Sequence, residues 1–520
     1  MHERLKKFKF MNFRPFVVLL AFLMMAIFSA VFVSHGLRLV LFIVFISAFG
    51  IAFSLTLAIK KKILLLITVI LFSVSSAFGV IYSKSESLKN YQKYAGEGVY
   101  IYAKISENYT FTSSGNLALT LSDLQIKTGT ESKFINGKIK LYTNPNNLKI
   151  TEFAVGRYLT VKTNLTVFDL NGDFEKKKET ISSLANGIIG YSYCAYYDIK
   201  LSDNYNVSAR DYLCYKIKDR LDVANLQYSD LGFAMLFGES SYLDEDVKTE
   251  FRKTGIAHLL AVSGLHFSII FMIVAFIAKI TKANAKSNFI IQLIVVFIYC
   301  YLCKFSISVI RAGAMALIAS YAKLRHKCYD NLSALSLVSF IILILNPLKL
   351  FNISFVLSFI AVFSILMLSP LLTRFFSNLL SDKTASALSL NLAVQFGMFA
   401  INIYYFGSYA LFGGIVNLLL IPIATLGFGI LFVSVILSSV CPLAIYLSKG
   451  FDFLIDIVVK MNGYFIGNGV YINLGKLSMV PVLLVVLLMV AASDNLLLKN
   501  RKKLITVAFF TILTGISFLL

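Results

Sequence analysis

Long apolar runs alternate with polar stretches along this chain, and the lengths of the runs predict its elements. Runs at 16–34, 37–59 and 63–82 each approach the ~20 residues that a helix needs to cross a bilayer. Arg4, Lys6, Lys7, Lys9 and Arg14 precede the first run, and Lys60, Lys61 and Lys62 separate the second from the third. The positive-inside rule therefore places both flanks, and the N-terminus, in the cytoplasm. Three crossings then carry the chain outside from Ser83 onward. The first run lacks a small-residue cleavage site after a short apolar core, and two spans follow at once, so it is expected to be an anchor rather than a cleaved signal.

From 84 to 180 the period changes to two. Val99-Tyr-Ile-Tyr-Ala-Lys-Ile105, Leu117-Ala-Leu-Thr-Leu121, Lys138-Ile-Lys-Leu-Tyr142 and Tyr158-Leu-Thr-Val-Lys-Thr-Asn164 alternate as half-buried strands do. Four or five such strands, punctuated by Gly96, Gly115, Gly129 and Gly137, suit a small extracytoplasmic β-barrel, with a sandwich as the alternative. Between 181 and 250 the apolar patches, Tyr212–Leu221 and Leu231–Phe237 among them, are too short to cross and are expected as amphipathic helices on the outer interface. Spans resume near 255–280, 289–304, 306–322, 331–346, 353–370, 388–404, 408–440, 445–465, 478–492 and 504–520. Lys282 and Lys286, Lys323, Arg325 and Lys327, Arg374 and Lys383, and Lys499 with Arg501, Lys502 and Lys503 all fall inside if 408–440 crosses once, as a helix kinked or broken at Pro422. The expected fold is thus a polytopic α-helical membrane protein of about 13 spans with an inserted small β-barrel. Its parts are 1–83 (a transmembrane hairpin plus a third span), 84–180 (the barrel), 181–250 (interfacial helices) and 251–520 (the transmembrane core).

Composition agrees: 58% hydrophobic residues and a mean hydropathy of +0.77 exceed what a soluble domain carries. The net charge of +22 fits a polyanionic partner, but it also fits any polytopic protein whose inner loops accumulate Lys and Arg. Six scattered cysteines exclude a disulfide scaffold; Cys194 and Cys214 are the pair that could meet in an oxidising compartment. Cys300 and Cys303 form a CxxC inside an apolar helix with no second CxxC to complete a metal site, so packing is the expected role.

The richest stretch is His258-Leu-Leu-Ala-Val-Ser-Gly-Leu-His-Phe267. It sets two imidazoles, a hydroxyl and a helix-weakening glycine in an apolar segment, where polar groups must be satisfied by protein or line water. Gly255 and Gly264 predict a broken helix, the mark of a pore or a buried site. His258 and His266 are more than two turns apart with no carboxylate nearby, which argues against a metal and for pore lining or a hydrogen-bonded structural role. Ser263 and His266 share a helical face and admit a serine hydrolase, but no third group or oxyanion hole accompanies them. Arg311 sits within a span and is costly there unless paired or hydrated; Asp452 and Asp456 are candidate partners.

Together with Phe251-Arg-Lys-Thr-Gly-Ile-Ala257, this stretch resembles the signature of the ComEC competence family, membrane channels that import single-stranded transforming DNA. Ile310-Arg-Ala312, Asn346-Pro347, Leu357-Ser-Phe-Ile-Ala-Val362, Gln395, Phe406-Gly407 and the Asn417–Pro422 element follow in family order, over about residues 95–490. Ser354 and Val356 stand where the family usually has Gly and Gln, which reduces the polar lining there. The resemblance implies an OB-like barrel at 84–180, although its Asn171-Gly-Asp-Phe174 turn lacks the usual proline. It also implies a DNA path lined by His258, Ser263, Gly264, His266, Arg311, Gln395 and Asn417. On the barrel, Tyr100, Tyr102, Lys104, Tyr109 and Phe111 would stack bases and meet phosphates.

Family members often carry a metallo-β-lactamase-like domain whose site needs a His and Asp cluster; the five histidines at 2, 35, 258, 266 and 326 cannot build it, and no Gly-x-x-x-x-Gly-Lys-Ser/Thr motor loop occurs. The expectation is a non-enzymatic channel of the bacterial cytoplasmic membrane, without cofactor or metal. It would work with an extracytoplasmic DNA receptor, a separate nuclease, and a separate cytoplasmic ATPase or DNA-binding proteins. One copy or a homo-oligomer fits equally. An intramembrane hydrolase and a small-molecule or lipid transporter are the alternatives.

Overall fold

The computed structural model describes residues 14–33, 35–59, 62–112, 114–128, 131–145, 152–170, 174–282, 284–467, 471–475, 478–493 and 500–519. The basic residues 4–9, 60, 61 and 499, Gly129 and the 171–173 turn lie outside them. Contacts divide the chain into two bodies, one formed by 15–215 with 339–352, the other by 216–338 with 353–520.

The first body opens with three apolar helices, α1 (Pro15–Phe32), α2 (His35–Ile59) and α3 (Lys62–Gln92). Arg38 is fully buried yet satisfied: its Nε and Nη2 donate to the carbonyls of Ala30 and Val31 at the C-terminal end of α1, and Nη1 donates to Ser85 Oγ. A cation at a helix C-terminus meets the negative end of the dipole, which is why this charge is tolerated in an apolar bundle.

A mixed sheet follows: β1 (Gly96–Ile105), β2 (Thr110–Phe111), β3 (Leu117–Thr128), β4 (Glu131–Ile135), β5 (Lys138–Thr143), β6 (Arg157–Val167), helix α4 (Phe174–Ala185), β7 (Ile188–Cys194) and β8 (Ile199–Tyr205). Strand β1 pairs with β3, β3 with β5, β5 with β7 in parallel, β7 with β6, and β6 returns to β1, so five strands close into a ring. Period-two alternation fills its interior with Ile101, Ala103, Leu117, Leu119, Ile139, Leu141, Leu159 and Val161, all fully buried. In β3 the apolar positions change parity, from 117, 119 and 121 to 124 and 126. Asp123, at φ 52°, forms the bulge that makes this possible. Gly190 has no Cβ because one would collide with the Thr166 carbonyl of β6. The sheet thus runs past 180 to Tyr205, and the helices expected from 185 begin only with α5 (Ala209–Val223). Strands β7 and β8 escape a local reading because their partners lie earlier in the chain.

The second body is helical. Helix α6 (Ser229–Phe237) is not an interfacial amphipathic helix: Leu231 through Phe237 are all buried, an apolar-all-round pattern that belongs in a core. Then come α7 (Glu245–Lys253), α8 (Gly264–Ile280), α9 (Ala285–Leu302), α10 (Ile307–Leu324), α11 (Asn331–Leu345), α12 (Ile353–Phe376), α13 (Asp382–Phe406), strand β9 (Ser408–Ala410) and α14 (Gly413–Leu437), one helix with Pro422 inside. The chain ends with α15 (Lys449–Gly467), β10 (Tyr471–Asn473), α16 (Met479–Ala492) and α17 (Asn500–Leu519). Among the described residues seven helices are long and apolar enough to cross a membrane: α1, α3, α9, α10, α12, α13 and α14; five apolar stretches, in α2, α8, α11, α16 and α17, are shorter. The protein is a membrane protein with an inserted mixed-sheet domain.

Candidate functional site

The chain leaves α7 at Thr254 and breaks helical geometry until Ser263. Gly255 takes φ 83°, a left-handed conformation that glycine adopts without a Cβ penalty, and it lies against Ala410 and Gly413. A 3-10 turn at Ala257–Leu259 presents His258 at the surface of this body, its Nδ1 3.3 Å from the Gly255 carbonyl.

Ser263 starts α8 as its N-cap. Its Oγ accepts from the His266 N–H at 3.4 Å, and its own N–H donates to His266 Nδ1 at 3.3 Å. This reciprocal pair is a capping box with histidine in the place usually held by Glu or Gln. Accepting at Nδ1 fixes the neutral ring with its proton on Nε2. That nitrogen is buried without a partner, and the ring stacks on Phe428 at 4.4 Å. The spacing of three does bring Ser263 and His266 together, but the ring nitrogen addresses the backbone N–H and not the hydroxyl, so a serine–histidine dyad is not formed.

Gly264 faces α10. A Cβ there would stand 3.0 Å from Arg311 Nη2. Arg311 is 8% exposed; its Nε donates to Ser358 Oγ on α12 at 2.8 Å, and its guanidinium lies 6.0 Å from the Phe359 ring. It makes no ion pair among the described residues. The expected carboxylate partners are occupied elsewhere. Asp452 accepts from the N–H groups of Gln227 and Tyr228, just before α6, at 3.0 and 2.9 Å, and Asp456 takes Lys460 and the Tyr228 hydroxyl.

A second polar group surrounds the corner between β9 and α14. Gln395 Oε1 accepts from the Tyr409 hydroxyl at 2.7 Å, Asn391 donates to the Gly414 carbonyl, and Thr254 donates to Asn462 Oδ1 at 2.5 Å. Asn417 Oδ1 and Asn462 Nδ2 are buried without partners. Asn462 and Tyr409 were not read from the sequence, and Thr254 was read only as part of the 251–257 signature; an asparagine inside the apolar run of α15 is the signal that could have found Asn462.

On the barrel, Tyr100, Tyr102 and Lys104 share the outer face of β1, as alternation requires. Tyr102 stacks on Tyr158 at 5.1 Å, Lys162 reaches over Tyr100, and Lys104 is tied to Asp123 at 2.7 Å, which neutralises it. Tyr109 and Phe111 meet edge to face beside the short β2. The sequence reading missed a second aromatic group. Tyr142 and Tyr193 stack at 5.2 Å beside a cavity of about 740 Å³ also lined by Asn116, Lys162 and Tyr197. Cys194 lines it too, and burial, only partly offset by Thr143, pushes its thiol up to about 11. Cys194, Cys214, Cys300 and Cys303 are all free thiols.

The competence protein family matches residues 235–497, a stretch that includes the broken segment and Arg311. The chain belongs to the competence protein family. Its relatives in that family include the ComE operon protein 3 of Bacillus subtilis, 28% identical over 37% of this chain and 24% of that protein. The Recombination protein 2 of Haemophilus influenzae is 26% identical over 40% of this chain and 28% of its own length. An uncharacterized protein of Aquifex aeolicus is 32% identical over 30% and 37% of the two chains. This family member thus spans roughly a quarter to a third of the relatives it matches. No solved structure matches it.

Proposed function

We propose that the protein is a channel of the bacterial cytoplasmic membrane that imports single-stranded transforming DNA during natural competence, and that it is not itself an enzyme. The observation that carries this reading is an unpaired guanidinium inside an apolar helix, set against a helix break, in a competence family member. A polyanion moving through a bilayer needs such fixed, hydrated positive charge, and it needs no base-specific contact.

The topology that follows has the N-terminus inside and the barrel outside. The seven long apolar helices, the five shorter ones and α15 supply thirteen crossings. Three contacts support this arrangement, each joining segments that it assigns to one side. Arg14, before α1, pairs with Asp330, before α11, at 3.0 Å on the inside. Asn346 and Asn352, between α11 and α12, bond to Ala185 and Asn186 at the end of α4 on the outside. Strand β9, after α13, pairs with β10, after α15, also outside.

The five-strand ring, with its one parallel pair, supports an OB-type barrel, although its helix lies in the β6–β7 connection. Residues 96–205 hold twelve Lys and Arg against eleven Asp and Glu, so strand capture there would rest on stacking more than on charge. An external DNA receptor, a nuclease and a cytoplasmic ATPase or DNA-binding protein would be separate partners.

The test supplies labelled DNA to competent cells making only this protein or its variants at matched abundance. His266→Ala and Arg311→Ala should lower DNA uptake into the cytoplasm while DNA still collects outside, and Ser263→Ala should be mild, losing one capping bond of ~1 kcal/mol. Abolition of function by Ser263→Ala alone, at normal abundance, would instead demand nucleophilic chemistry.

A further inference from the structure

The α8 N-terminus and Arg311 carry like charge and approach closely, since a Cβ on Gly264 would stand 3.0 Å from Nη2, and Arg311 makes no ion pair among the described residues. Four N–H groups at a helix start lack intrahelical acceptors. In α8 the capping box takes those of Ser263 and His266 and leaves the two in the middle, on Gly264 and Leu265, with no acceptor among the described residues. These two groups concentrate the positive end of the helix dipole. The guanidinium that approaches Gly264 is more than nine-tenths buried and uses only Nε, leaving Nη1 and Nη2 without hydrogen bonds. A buried cation beside a helix N-terminus is unfavourable unless an anion lies close to both, and no carboxylate among the described residues pairs with Arg311.

We propose that the start of α8 and Arg311 together form a seat for one phosphate-type oxyanion, held by Arg311 Nη1 and Nη2 and by the N–H groups of Gly264 and Leu265. Planar guanidinium donors and convergent backbone N–H groups both suit phosphate oxygens. Gly264 is part of the seat because of what it lacks. A Cβ there would stand 3.0 Å from Nη2, so the fork would have to give by a few tenths of an ångström. Ser358 fixes the other side of the fork, so the guanidinium is pre-aimed rather than free to follow the ligand. The occupant assigned is a phosphodiester of the strand in transit, a step that rests on the DNA-import reading; the existence of the seat does not rest on it.

The experiment uses the full chain in neutral-lipid nanodiscs and two probes, inorganic phosphate and a fluorescent single-stranded oligonucleotide, each at fixed ionic strength. Phosphate should raise the thermal midpoint of the wild type but not of Arg311→Gln. The oligonucleotide should bind about tenfold more weakly when its phosphodiesters are replaced by neutral methylphosphonates. That preference should vanish in Arg311→Gln and weaken measurably in Gly264→Ala, which changes no charge. A purely long-range role for the arginine predicts that Gly264→Ala binds like the wild type, and that result, with the variant folded, overturns the seat. If phosphate stabilises the wild type through Arg311 but the oligonucleotide does not bind, the seat stands and the DNA assignment falls. If added phosphatidylglycerol displaces the phosphate effect while the oligonucleotide cannot, the occupant is a lipid headgroup and the strand assignment is overturned. Failure of phosphate to stabilise either protein, with no phosphodiester preference, removes the proposal altogether.

Discussion

Gly397→Ala is the sharpest single test of how the core is assembled. Gly397 of α13 faces Ser364 of α12 so closely that an added methyl would overlap Ser364 Oγ and lie 2.5 Å from its Cβ and 3.2 Å from Met489 Sδ. Carbon atoms pack at ~3.5–4.0 Å, so the Cβ contact alone is short by about 1 Å. Rotating Ser364 cannot relieve it, because Cβ does not move, and rotation would also break the 2.7 Å bond from its hydroxyl to the Ile360 carbonyl. The helices must part, at an overpacking cost of ~1–3 kcal/mol. Small residues at a helix crossing are how membrane helices approach without a hydrophobic driving force, which makes this contact a fixed point of the pair. Ser364→Gly removes both clashing atoms at ~1 kcal/mol of helix propensity, and in the double variant the steric cost disappears. Unfolding of the full chain in a mild detergent, run as a double-mutant cycle, should therefore give ~1–3 kcal/mol of favourable coupling. Since α12 carries Ser358 and α13 carries Gln395, DNA uptake should fall in Gly397→Ala and return with the second substitution. A coupling below ~0.5 kcal/mol, the scatter of independent sites, would refute the close crossing.

Further outcomes follow from other parts of the molecule. Asp452→Ala should cost ~1–3 kcal/mol in thermal unfolding by leaving the N–H groups of Gln227 and Tyr228 without their acceptor, with Asp452→Asn cheaper because an amide oxygen still accepts; equal losses would show that charge, not these two hydrogen bonds, is at stake. Cys194, with its thiol near 11, has about one thiolate in a thousand at pH 8, so iodoacetamide should label exposed Cys328 first and reach Cys194 faster by about tenfold per pH unit; rapid labelling at pH 8 would contradict its burial. Burial lowers the Lys218 ammonium, but its bonds to Asp222 and Asp230 outweigh that and raise it above 10.5. Its stabilisation is therefore complete below that value and lost as pH climbs through the raised one, so Lys218→Met should flatten the alkaline fall in unfolding midpoint and leave the slope near pH 7 unchanged. Asn116→Cys should react with an impermeant maleimide in intact spheroplasts; labelling only after lysis would invert the topology.

The helices of the core were legible because a bilayer demands one thing of a span, a sustained apolar run; α9 through α17 begin and end within about six residues of the runs that predict them, whereas α8 begins only at Gly264, well inside the run 255–280. The helix break at Gly255–Ser263 was legible for the complementary reason, since glycine loosens a helix and polar groups within such a run must meet either protein or water. What stayed hidden depends on partners far away in sequence. Tyr142 and Tyr193 form one aromatic step only because β5 and β7 run parallel, a pairing with no local signature. Asp452 reads as a hydrated helix edge until α6, some 220 residues earlier, is laid against it. Arg311 was recognisable as costly, but its enclosure by Gly264, Ser358 and Phe359 is a property of three helices meeting.

The bonds from Asn346 and Asn352 to the end of α4 have a consequence for biosynthesis. The ring of strands is finished when the ribosome passes Tyr205, but the segment 339–352 that completes this body emerges about 150 residues later. At ~5–20 residues per second the β-domain waits roughly 7–30 s, already outside in the proposed topology, with the Ala185 carbonyl and the Asn186 side chain still without these two partners. Its final docking would then report that the helices α8 to α11 have been threaded with the right parity, since a missed crossing would deliver Asn346 to the wrong face of the membrane.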